Sequence, residues 1–185
     1  LEFASPLVKV TIVPRGRSLG AAWYLPEERQ LTTTEQMKDE ICAALGGRAA
    51  ESLFFDKVST GALSDLEKVT KQAYAMVSIY GLSPKLGNIS YYDSSGQNSG
   101  FTKPYSEERA KLIDSEVSKL IEEQYNRALK VLRDNKKKVE ELANALLSNE
   151  VIFKDNLVSI FGARKWTSYH EEKLEEEESK TKKKK

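Results

Sequence analysis

The sequence predicts a mainly α fold with a small β element near the N-terminus. Two patterns carry that expectation. Apolar residues recur at helical spacing in several runs between Met37 and Phe161, whereas alternation of apolar and polar residues opens the chain at 7–14. The composition permits a core: of 185 residues, 39% are hydrophobic and 31% charged, which argues against wholesale disorder. That length fits one domain, or one domain with a tail. Lys plus Arg number 29 against 28 Asp plus Glu, a balance that argues against a nucleic-acid binder. No run of roughly 18 apolar residues is present, so no segment is expected to span a membrane.

Residues 7–14, LVKVTIVP, read as a strand, with Leu7, Val8, Val10, Ile12 and Val13 set around Lys9 and Thr11. Residues 14–18, PRGRS, are turn chemistry. Residues 19–25 read as a second short strand ended by Pro26, and the two make a hairpin or an open ribbon. Gly20, Ala21 and Ala22 leave this strand's backbone bare. Such bareness either accommodates a packed helix or permits close approach by another chain. Thr32 with Glu35 matches a capping box that opens a helix. Met37, Ile41, Ala44, Leu45, Ala49, Leu53 and Phe54 continue it, interrupted by Gly46 and Gly47. Two glycines cost such a helix about 1 kcal/mol each relative to alanine, which predicts a close helix contact as the offset. After the turn Ser59-Thr60-Gly61, a second helix carries Leu66, Val69, Ala73, Met76 and Val77 and ends at Gly81 as its C′ residue. Residues 88–92, NISYY, read as a short strand, and 93–103 as a mobile loop by composition. A long helix follows over about 106–135, with one apolar stripe through Ile113, Val117, Leu120 and Leu129. An amphipathic helix over 136–147 and a short helix over Lys154–Phe161, stopped by Gly162, complete the domain. Residues 167–185 form a tail. Positions 170–185 hold six acids, six lysines and one apolar residue, and should be solvated.

Few residues could carry chemistry. Cys42 is the only cysteine, so no internal disulfide forms, and within a helix it reads as a buried small hydrophobe. His170 is the only histidine and lies in the tail. Unless it folds back, neither a His-rich zinc site nor a Ser-His-Asp device can be built from these residues. No GxxxxGK[ST] loop is present for a nucleotide. Asp65, in the first turn of the second helix, reads on spacing alone as an acid that complements exposed amides and the helix dipole. Arg48 and Glu51, three apart, read as an intrahelical ion pair worth about 0.2–0.5 kcal/mol. A helical module for oligomerisation or partner binding, without catalysis, fits these residues as well.

Five segments in order, LVKVTIVPRGRSLGAAWYLPEE, GGRAAE, STGALSDLEKVTKQAY, GLSPKLGNISYY and KPYSEERAKLIDSEV, resemble the peptidase domain of the FtsH-type proteases. These are membrane-anchored, ATP-dependent AAA+ zinc metalloproteases. The resemblance spans residues 1–166 and leaves 167–185 outside it. It implies a helical peptidase domain in a six-fold ring below an ATPase ring, and a zinc held by two histidines of an HExxH helix and one aspartate. The aspartate of the family's TGAxxD segment falls on Asp65, which the resemblance makes the third zinc ligand. HExxH is absent here. Both histidines and the catalytic glutamate are therefore expected upstream of Leu1, and no catalytic residue lies in this chain, which reads as a piece of a longer protein.

The chemistry accounts for that division of labour. Histidines at i and i+4 share a helix face, and the glutamate between them takes a proton from zinc-bound water, whose pKa falls to around 7. A third ligand must come from elsewhere while one position stays open. Asp65 would be held by backbone amides, capping and coordinating at once. By the same resemblance Gly20, Ala21, Ala22, Trp23 and Tyr24 form a strand that pairs with an extended polypeptide substrate. The implied partners are polypeptide substrates and further copies of the chain in a hexamer. ATP is used by a separate upstream domain. Membrane attachment runs through upstream segments, with the peptidase domain on the cytoplasmic or equivalent side. The piece itself is expected to be soluble, and inactive alone.

Overall fold

The alternating run at the start of the chain becomes strand β1, Leu7–Thr11, in the computed structural model, which describes residues 1–16, 18–25, 31–92 and 104–166. Strand β2, Ala21–Tyr24, pairs with it antiparallel, and the turn between them is closed by mutual backbone bonds of Arg15 and Ser18 at 2.9 and 3.0 Å. The chain forms two compact units: Leu1–Leu31 with the residues from Asp134 onward, and Thr32–Arg133.

The first unit holds the sheet, whose order is β2-β1-β3. Strand β3, Val151–Phe153, also runs antiparallel to β1 and is absent from the sequence expectations. Three residues are too few for periodicity to register. What makes the strand is the end of helix α5, Lys136–Asn149. Glu150 adopts a left-handed conformation (φ 59°), and its N–H returns to the Leu146 carbonyl at 2.7 Å. Its own carbonyl accepts from the Ile12 amide at 3.0 Å and the Thr11 hydroxyl at 2.9 Å. Ile152, only 1% exposed, then fills the core of this unit. Helix α6, Lys154–Phe161, follows as expected, and the Phe153 amide donates to Asn156 Oδ1 at 3.1 Å in its first turn. Gly20 lies close against β1. A Cβ there would lie 2.7 Å from the Thr11 carbonyl oxygen, so the small residue permits β1 itself to approach.

The second unit is helical. Helix α1, Thr34–Ala44, starts one residue later than the sequence suggests, because Thr33 rather than Thr32 is its N-cap. Gln36 N–H donates to the Thr33 hydroxyl at 3.3 Å, and Thr33 N–H to the Gln36 side chain at 2.7 Å. Three consecutive threonines before Glu35-Gln36 allow a capping box in two registers. The register found is the one that buries Met37, Ile41 and Cys42. Leu45 bends the chain into helix α2, Gly46–Phe55. The close helix contact expected at Gly46 and Gly47 is not found among the described residues, where a Cβ at either would meet nothing within 4 Å.

A 3-10 turn, Thr60–Ala62, leads into helix α3, Leu63–Tyr74, which continues as a π-helical turn, Ala75–Ile79, before Gly81 (φ 63°). Residues 88–92 form no strand. Among the described residues no neighbouring strand pairs with them. The Tyr91 amide instead donates to the Ser78 carbonyl at 2.8 Å, and the Tyr91 ring meets Tyr105 edge-on at 5.0 Å. Helix α4, Glu107–Asp134, buries Ile113, Val117 and Ala128 along the expected stripe. It also buries Gln124 and supplies Arg127, whose guanidinium pairs with the buried Asp39 of α1 at 2.6 Å. Among the described residues no helix is long and apolar enough to cross a membrane. The loop at 93–103 and the tail at 167–185, with His170, lie outside the described residues.

Candidate functional site

Asp65 lies in the first turn of α3 and is exposed. It is not a cap. The residue preceding α3, Ala62, makes no side-chain cap bond, and among the described residues the Asp65 carboxylate has no hydrogen-bond or ion-pair partner. The expectation that backbone amides hold it therefore fails. The reason is local: the 3-10 turn ahead of α3 takes its own cap from Ser59, whose hydroxyl accepts from the Gly61 amide at 3.1 Å. What remains at Asp65 is an exposed carboxylate at the positive end of a helix dipole, a hard oxygen donor without a partner.

The segment that leads to Asp65 is held by Glu51 of α2. Its carboxylate accepts the Ser59 amide at 3.2 Å and the Ser59 hydroxyl at 2.5 Å, and Arg48 approaches it at 3.4 Å. The Ser59 hydroxyl bond, then the Ser59 amide, hold the Glu51 carboxyl below the usual carboxylate range, with Arg48 adding a smaller push. Arg48 and Glu51 are thus the ion pair expected from their spacing. Sequence reasoning missed Ser59, although it precedes the Thr60-Gly61-Ala62 turn as an N-cap serine.

Cys42 is 2% exposed, as expected for a packed thiol. Burial pushes its pKa up, against the Arg127 guanidinium and with the Asp39 carboxylate, so it stays a neutral thiol. Among the described residues no group of three or more His, Cys, Asp or Glu is placed to hold a metal ion. Among the described residues Asp65 offers a single carboxylate, not a complete set of metal ligands.

The second element of interest belongs to the sheet unit. β2 carries Ala21, Ala22, Trp23 and Tyr24, with Gly20 just before it, and it is an edge strand. The Leu25 amide donates inward to the Pro6 carbonyl at 2.8 Å. Amides alternate along a strand, so that of Ala22 points to the outer edge, where no strand is paired among the described residues. Trp23 faces Lys9 across the pair, and the Lys9 ammonium lies 5.0 Å from the Trp23 ring centre and 5.6 Å from that of Phe153. This cation–π stack steadies Trp23. Its Phe153 side comes from β3, far from the first two strands in sequence, so no local signal could reveal that contact.

Residues 1–160 match Peptidase family M41. The chain is 64% identical over 178 residues to an ATP-dependent zinc metalloprotease FtsH of Parabacteroides distasonis, covering 96% of this chain and 26% of that protein. It is 56% identical over 161 residues to an ATP-dependent zinc metalloprotease FtsH of Karelsulcia muelleri, covering 86% and 26%. A mitochondrial inner membrane m-AAA protease component of Mus musculus is 46% identical over 164 residues, covering 89% and 21%. The chain spans about a quarter of the length of these two FtsH relatives.

Proposed function

The chain belongs to peptidase family M41, and from that premise we propose that it is peptidase-domain sequence of an ATP-dependent zinc metalloendopeptidase. Asp65 supplies one zinc ligand. The observation that carries this reading is the Asp65 carboxylate, without a partner among the described residues, on a segment that Glu51 and Ser59 hold in place. One histidine in the whole sequence leaves the two histidine ligands and the general-base glutamate to be contributed from outside these residues. Zinc bound there would lower the pKa of a coordinated water to around 7 and so supply hydroxide near neutral pH. Asp65 contributes a fixed negative oxygen to that site.

The outer edge of β2 aligns the substrate. An extended polypeptide adds to it as a further strand through main-chain bonds. Such pairing is tolerant of sequence and suits unfolded and membrane-protein substrates. ATP hydrolysis, ring assembly as a hexamer and attachment to a membrane belong, in this reading, to the longer polypeptide.

The test is zinc content per chain, by atomic absorption, on the full-length polypeptide that contains these residues, beside its Asp65→Ala variant. About one zinc in the parent and its loss in the variant is the expected result. Full zinc retention by the variant would remove Asp65 from the ligand set. A zinc-free parent would favour a non-catalytic helical assembly module.

A further inference from the structure

The helical unit contains a cavity of about 330 Å³, within the roughly 300–1,000 Å³ typical of small-ligand pockets. None of Glu51, Ser59 or Asp65 lines it. Its floor includes Met76 and Val77 of the π turn, both almost fully buried. There the Tyr80 amide reaches back to the Ala75 carbonyl at 2.9 Å and the Leu82 amide to the Met76 carbonyl at 3.0 Å. The widened turn is a rare geometry that recurs at functional sites. Leu82 and Leu120 extend the apolar lining.

The polar lining is unbalanced in one place. On the α4 side, Glu116 is answered by Lys85 at 2.6 Å and by the Ser83 hydroxyl at 3.5 Å, and Glu123 by Lys119 at 3.7 Å. On the α1 side, Thr34 and Lys38 both line the cavity, one turn apart on the same helix face. Lys38 has no acidic partner among the described residues. Beside it, Thr33 satisfies the amides of Gln36 and Met37, whereas those of Thr34 and Glu35 have no acceptor among the described residues. Lys38 and Thr34, the first residue of α1, thus line the same cavity as the apolar Met76, Val77, Leu82 and Leu120. A single uncompensated cation, with two glutamates nearby, favours a monoanion over a phosphate dianion.

We propose that this cavity binds an apolar group bearing a carboxylate, with its hydrocarbon on Met76, Val77 and Leu120 and its carboxylate on Lys38 and Thr34. That chemistry has two sources, a small free acid or the C-terminal residue of a peptide. The cavity's size limits the occupant to one or two side chains in either case.

The probes are 3-phenylpropionate, its neutral amide, and acetyl-Gly-Gly-Leu with a free or amidated C-terminus. Each is titrated into the 185-residue chain by calorimetry and followed by backbone amide shifts. Saturable binding is expected, with the acid about tenfold tighter than its amide and shifts centred on Thr34, Lys38 and Met76. Lys38→Met keeps the stem and removes the charge. It should bring the acid down to the affinity of the amide and leave amide binding unchanged, which a merely misfolded variant would not do. The tighter of peptide and free acid identifies the natural source. Equal affinity for acid and amide, undiminished acid binding in Lys38→Met, or no saturable binding by any probe overturns the proposal.

Discussion

A single carboxylate, that of Glu51, secures the segment carrying Asp65, and its chemistry sets a pH dependence. The Ser59 bonds lower its pKa in the folded chain. A lowered carboxylate pKa contributes stability above the unfolded value, about 4.3, which is lost as pH falls through the folded value. The melting-temperature difference between the native chain and Glu51→Gln should therefore be full at pH 6 and shrink steadily below about pH 4. A difference that stays constant across that range would mean that charge on Glu51 is irrelevant. Asp65 behaves in the opposite way. It has no partner among the described residues, so Asp65→Ala should change unfolding free energy by no more than about 1 kcal/mol, the size of a dipole contribution. A stability loss of several kcal/mol in urea melts would make Asp65 structural. Neither role was legible from spacing. The i,i+3 pairing of Arg48 and Glu51 could be read from helical geometry, whereas the reach of Glu51 to Ser59 depends on how the loop after α2 returns.

At the scale of elements, glycines report which contacts exist. Gly46 and Gly47 stand in α2 with open space where a side chain would go. Alanine at either should stabilise the chain by about 0.5–1 kcal/mol through helix propensity and a stiffer unfolded state. A loss of stability on thermal melting would instead point to a neighbour that covers this face. Gly20 is the reverse case. A Cβ there meets the Thr11 carbonyl at 2.7 Å, and backbone cannot yield cheaply, so Gly20→Ala should destabilise by about 1–3 kcal/mol in the same melts. Helices α3 to α6 could be placed from their stripes because 12, 28, 14 and 8 residues give room for periodicity to repeat. β3 could not, having three residues. The run at 88–92 misled for a related reason: Ile, Tyr and Tyr suit a strand, but a strand also needs an adjacent edge, which composition does not encode.

For the molecule as a whole, one carboxylate is not a metal site. The 185-residue chain by itself should bind well under one zinc and leave a casein substrate uncleaved, as measured by metal analysis and peptide release. Stoichiometric zinc in this chain alone would show that other residues complete a site. The sequence by itself determined the helical class, the two N-terminal strands, the position of Asp65 and the family, because these depend on local periodicity, turn chemistry and ordered motifs. Only the tertiary structure decided that β1 has two partners and that Glu150 turns α5 into β3. It also decided that Asp39 is buried against Arg127, and that Lys38 lines a cavity with no acid to answer it among the described residues. Each of these is a relation between residues distant in the chain, and such contacts are settled by which surfaces must be covered and which charges find partners once the helices have packed.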